Sequence, residues 1–269
     1  MIEVIFLAIL GLFYLIVASI QDFRTTIVFD WLNYSLVIFA LGFRFFYSIF
    51  NEDMSFFYLG VIGFILFYLL GLLMYYGRLF AGADMKMFAA LGAILPWKWD
   101  LILNSEILLF FLLFFFLGGA IYGLLCIFYL VVKNWKSFKI DFVKEYKKFR
   151  YFILAFSYFS ILIMLLVSFN EVFFLLGIVL FLLPWVYLVS KSVDNSMIKL
   201  TSPRNLIEGD WLFEKVKVGK KFILPSWDGL SKENIALLKK HKKSVKIRNG
   251  VAFIPSFLLA YALFWIWFF

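Results

Sequence analysis

The sequence predicts an all-α polytopic membrane protein of about eight transmembrane helices, with a small α+β cytoplasmic subdomain before the last helix. Three observations carry that expectation. Apolar residues make up 65% of the chain, against roughly 45–50% in a soluble domain, and mean hydropathy is +0.97. Seven apolar stretches approach the ~20 residues that cross a bilayer. The basic residues gather in alternate connecting segments, as short loops kept on the cytoplasmic side do.

Taken in order, the long stretches are Ile2–Ile20, Trp31–Phe50, Phe56–Tyr76, Ile107–Val132, Tyr151–Phe169, Val172–Ser190 and Val251–Phe269. The first lacks a basic n-region and a small-residue cleavage site, so it is expected to be a retained span. An eighth stretch, Met85–Trp97, is short for a crossing. It earns that assignment from loop charge. With it, segments 21–30, 77–86, 133–150 and 191–250 face the cytoplasm and hold 1, 2, 7 and 14 Lys or Arg, which is 24 of the chain's 26. Only Arg44 and Lys98 fall elsewhere, and Glu3, Glu52, Asp53, Asp100, Glu106 and Glu171 take the opposite side. Both termini are then outside. The fourth helix is expected to be short because protein surrounds it.

Residues 1–190 thus form the transmembrane domain with the candidate catalytic residues, 191–250 the cytoplasmic subdomain and 251–269 the final transmembrane helix. In the subdomain, Trp211–Val218 and Ser244–Arg248 read as strands, while Ser231 caps a helix reaching Lys240. The net charge of +9 belongs to the cytoplasmic loops and to membrane lipids as partners, so no nucleic acid is expected. His241 stands among lysines that suit anionic headgroups. Cys126 is the single cysteine and excludes a disulfide framework or thiolate metal site within the chain. No metal and no cofactor are expected.

An ionisable residue at membrane depth costs about 2.5–3.5 kcal/mol on insertion scales, so each needs a reason to be there. Asp22 and Asp84 both fall at the cytoplasmic edge of their helices and can meet at one depth. Two carboxylates in one site share a proton, one serving as base toward water and the other as acid toward a carbonyl. Asp22 stands at a helix C-terminus and Asp84 at a helix N-terminus, which makes Asp84 the expected more acidic partner. Arg24 and Lys86 are expected to anchor topology, although either could bias that pair; Asp30 is expected to cap the second helix, with a third active-site carboxylate as the alternative, and Asp210 to stabilise the Glu208-Gly-Asp210 turn, where Glu208 and Asp210 could dock a basic segment.

The segments Gln21-Asp-Phe-Arg-Thr-Thr-Ile-Val-Phe-Asp-Trp-Leu-Asn and Ala81-Gly-Ala-Asp-Met-Lys-Met resemble the two catalytic segments of the archaeal preflagellin and prepilin peptidases, membrane aspartic proteases related to bacterial type IV prepilin peptidase. Ser202-Pro-Arg-Asn-Leu-Ile-Glu-Gly-Asp-Trp-Leu, Gly229-Leu-Ser and Val245-Lys-Ile-Arg-Asn-Gly-Val-Ala-Phe-Ile-Pro resemble their soluble part and last helix. The resemblance implies an aspartic endopeptidase in the cytoplasmic membrane that removes short basic leaders from archaellin or type IV pilin precursors, with Asp22 and Asp84 catalytic. Gly82 then stands beside a position, 81, where the family usually has glycine and this chain has alanine. The tetra-cysteine insert of many bacterial relatives is absent, so no zinc and no N-methyltransferase activity are implied. The other reading of paired membrane carboxylates is a proton- or ion-coupled transporter.

Overall fold

The computed structural model describes residues 2–168, 171–219, 221–226, 229–248 and 250–269. Its helices are α1 (Ile2–Thr25), α2 (Asp30–Phe50), α3 (Ser55–Tyr76), α4 (Gly82–Gly92), α5 (Leu101–Lys133), α6 (Trp135–Met164), α7 (Glu171–Ser196), α8 (Lys232–Lys240) and α9 (Ile254–Phe268). Five of them, α1, α2, α3, α5 and α7, are long and apolar enough to cross a membrane, which makes this a multi-pass membrane protein. The helix α9 is apolar but shorter.

The chain divides into two compact units, residues 1–124 with 251–269, and residues 125–250. In the first, α4 is the central element. Met87, Phe88, Ala90 and Leu91 are fully buried, as are Ala93, Ile94 and Leu95 just beyond its end. Eleven residues rise only about 16 Å, half of a hydrocarbon core of about 30 Å, so α4 ends at a depth where its last carbonyls must find protein partners. The N–H groups of Ala93 and Ile94 turn back to the carbonyls of Ala90 and Leu91, and Arg44 of α2 meets the carbonyls of the turn that follows. Its guanidinium donates to the carbonyls of Ala93 (2.8 Å), Ile94 (3.4 Å) and Leu95 (2.6 Å), and to Phe56 of α3 (2.9 Å). Trp97 Nε1 donates to the Gly92 carbonyl at 2.7 Å. Arg44 is fully buried, with its charge over the Phe56 ring at 4.3 Å, so the cation meets a helix C-terminus and an aromatic face in place of an acid.

The other contacts of α4 are close-packed. At the α3–α4 crossing, Gly63 and Gly92 meet backbone to backbone, and a Cβ on either would run into the other's carbonyl oxygen. The Phe88 ring stacks on Phe67 of α3 (4.8 Å) and meets Phe115 of α5 edge-on (5.2 Å), and Phe115 in turn meets Phe257 of α9 (4.9 Å). The last helix therefore packs beside the first five, across 126 residues of intervening chain.

In the second unit α6 and α7 form a long hairpin, closely packed where Gly177 of α7 faces the Ser160 carbonyl. The basic stretch 133–150, read from the sequence as a connecting segment, is helical almost throughout: α5 runs to Lys133 and α6 begins at Trp135. The end of the expected span at Phe169 lies outside the described residues. Strands β1 (Ile198–Thr201), β2 (Trp211–Leu212) and β5 (Val245–Arg248) form an antiparallel sheet in the order β1-β5-β2, while β3 (Val216–Val218) pairs with β4 (Lys221–Ile223). The single strand expected over Trp211–Val218 is thus two, because Phe213 donates its N–H to Lys246 and the chain turns before Val216. Ser231 caps α8, accepting from the Asn234 N–H at 3.3 Å, and Ile235 and Leu238 of that helix join Val245 and Ile247 in a small core.

Arg44→Met removes the donors for three buried carbonyls and one half-buried carbonyl, each costly to leave unbonded. It is expected to destabilise the detergent-solubilised protein by about 3 kcal/mol, read as a fall in melting temperature; an unchanged melting temperature contradicts the role given to Arg44.

Candidate active site

Asp22 lies in the last turn of α1, which ends where Thr26 adopts φ +53° and returns its N–H to the Asp22 carbonyl at 2.8 Å. The Asp22 side chain is buried, 7% exposed, and its Oδ2 accepts from the Ile254 N–H at 3.0 Å. Ile254 is the first residue of α9, and Pro255 follows it, a residue with no N–H to satisfy. The carboxylate of one helix's C-terminal turn thus closes the N-terminus of another.

Asp84 is the third residue of α4 and is 8% exposed. Its Oδ2 accepts from the Ala81 N–H at 2.9 Å, the carboxylate half of a capping box. Phe80, just before α4, packs against Phe253 (6.3 Å) and Phe257 (5.7 Å) at the start of α9. Asp22 is therefore pinned directly to the start of α9, and the segment that leads into Asp84 packs against the same stretch.

The expectation that helix ends alone rank the two acids meets a feature that local sequence does not show. Asp22 occupies the negative end of α1 but also touches the positive end of α9, and the two dipoles oppose each other there. Ile254 and its N–H were missed by sequence reasoning. The only signal was Pro255, which marks the first turn of a helix but says nothing of what its free N–H groups hold.

Ala81 has φ −79° and ψ 168°, ordinary extended backbone for any L-residue, so alanine sits there without strain. Gly82 opens α4, and a Cβ there would meet nothing within 4 Å. Asp30 does not cap α2. Phe29 occupies the N-cap position, and the Asp30 carboxylate instead takes Lys86 at 2.6 Å, with the Lys86 ammonium 5.6 Å from the Tyr34 ring. Arg24 is exposed at the end of α1. In the other unit, Asp210 Oδ2 accepts from the Ile207 N–H at 2.9 Å around Gly209 (φ +93°), the turn expected of it. Glu208 forms an exposed pair with Lys232 at 3.5 Å. Among the described residues no group of three His, Cys, Asp or Glu could hold a metal ion.

Comparison with known proteins bears on the part of the chain that carries both aspartates. Residues 9–127 match the type IV leader peptidase family. Two curated relatives are preflagellin peptidases. That of Methanococcus maripaludis is 35% identical over 88 residues, covering 33% of this chain and 38% of the relative. That of Methanocaldococcus jannaschii is 33% identical over 88 residues, covering 33% and 37%. The matched segment is thus a little under two fifths of each relative's length. No solved structure matches.

Two substitutions check the local geometry. Ala81→Gly is expected to lose about 0.5–1 kcal/mol by loosening the unfolded chain, since there is no strain to relieve; a rise in melting temperature contradicts this. Lys86→Met removes an exposed pair worth about 0–1 kcal/mol, so the melting temperature in detergent should move little, and a large fall would give Lys86 a structural role.

Proposed function

We propose that this protein is a membrane aspartic endopeptidase that removes short basic leaders from archaellin or type IV pilin precursors at the cytoplasmic face of the cell membrane. What supports the reading is that Asp22 accepts from the Ile254 N–H at the start of α9, while Phe80, four positions before the buried Asp84, packs against Phe253 and Phe257 of the same stretch. The family match over residues 9–127 and the preflagellin peptidase relatives support leader peptides as substrates.

In this mechanism one carboxylate takes a proton from water and the other protonates the scissile carbonyl, so no covalent intermediate forms. Burial strengthens each of these interactions by excluding water. The hydrogen bonds from Ala81 and Ile254 hold the two carboxylates in place. Substrate enters laterally, its apolar helix in the bilayer and its basic leader near the cytoplasmic segments, with Glu208 and Asp210 as docking acids. Membrane lipids complete the surroundings.

This reading takes eight crossings, with α4, the apolar half of α6 from Tyr151 and α9 added to the five long helices and both termini outside. A transporter reading calls for carboxylates near the bilayer midplane, whereas Asp22 and Asp84 stand in terminal turns of their helices.

Asp22→Asn and Asp84→Asn keep the shape and remove the acid–base function. Each is expected to lower leader removal at least a thousandfold in membranes holding equal amounts of inserted protein, scored by gel shift and mass. An active single variant refutes the mechanism.

A further inference from the structure

Asn33 of α2 is 1% exposed, and neither its Oδ1 nor its Nδ2 has a hydrogen-bond partner among the described residues. Burying an unbonded carboxamide costs about 1–3 kcal/mol on mutational scales, so an amide kept in that state calls for a partner that arrives later. Its place in the fold says which.

Helices α2 and α4 run in parallel, tied by Asp30–Lys86 near their first turns and by Arg44–Ala93 near their ends. Asn33 precedes Arg44 by eleven positions, which is three turns with only about 20° of rotation and about 16 Å of rise. Asn33 and Arg44 therefore share one face of α2. Asn33 thus lies between these two ties, next to the Asp30–Lys86 one, along the part of α2 that faces the first turns of α4. From the other side, α1 runs antiparallel to α2 through the short connection at residues 26–29, which sets Asp22 near the start of α2. Ser19, one turn before Asp22 on the same face of α1, is 4% exposed, and its hydroxyl also has no partner among the described residues.

We infer that the Asn33 carboxamide binds the main chain of the substrate beside the bond that is cut. The inference rests on the proposed aspartic reading. To be cut, a helical precursor must unwind at the site, which frees N–H and C=O groups that have no water to turn to. A carboxamide offers a donor and an acceptor together, the complement of one extended peptide unit and indifferent to side chains. Asp22, Asp84 and Asn33 are all buried in this structure, so the entering peptide parts the helices to reach them.

The test uses the full chain in detergent with a precursor protein as substrate. Asn33→Leu and Asn33→Ala are compared with the wild type in KM, kcat and melting temperature. Expected are a KM raised roughly tenfold or more, a smaller change in kcat, and a melting temperature equal to or above wild type for Asn33→Leu, since an unbonded polar group has been removed. Unchanged kinetics in a folded Asn33→Leu protein, with Asp84→Asn inactive, overturns this inference alone. So does a loss of activity that follows a lowered melting temperature, or failure of both variants to fold, because the amide is then part of the scaffold. Cleavage persisting in Asp84→Asn brings down the aspartic reading and this inference with it.

Discussion

Everything in the first unit depends on how a helix can end inside a membrane protein. A span of full length hands its terminal N–H and C=O groups to water or headgroups, but α4 is half that length and its last carbonyls lie in a core with no water. Arg44 and Trp97 take the carbonyls of residues 92–95 between them. Burying a guanidinium is expensive, and the cost is offset only because it meets several carbonyls at the negative end of a helix and an aromatic ring at once. Once that end is fixed, the rigid rod of α4 fixes the other, and Asp84 is set at a definite depth.

The second constraint is the same problem at the opposite pole. The N-terminus of α9 is buried too, and its Ile254 N–H is met by Asp22. A residue that serves catalysis in our reading thus also closes a helix end, and so does Asp84 through Ala81. Closing a helix end and serving catalysis do not compete. Carboxylates aimed at helix N-termini are held in place, and held carboxylates in a dry site are what proton transfer between water and a peptide requires.

Much of this was legible in the sequence. The ends of α2 and α3 follow from apolar runs broken by Glu52-Asp53 and Gly77-Arg78, and Ser231 announced α8. The loop-charge pattern leads to the expectation that Asp22 and Asp84 lie on one side of the membrane. Less legible were features that depend on distant partners. Arg44 reads as a stray charge in an apolar run, because nothing local reports the carbonyls of residues 93–95. Asp30 sits where an N-cap belongs but turns to Lys86, a residue 56 positions away. The polar stretch 133–150 looks like a loop by hydropathy and is helix, since lysine and glutamate are good helix formers. Strands β1 and β4 do not alternate buried with exposed residues as β5 does, so a period of two does not register in them.

The most direct test of the central claim, that this buried pair of aspartates cuts leader peptides, is to incubate membranes holding the protein with a panel of archaellin and pilin precursors and weigh the products. The account predicts a mature chain and a short basic peptide whose masses add to that of the precursor plus one water. Precursors that keep their full mass, in membranes where the protein is folded and inserted, would contradict it.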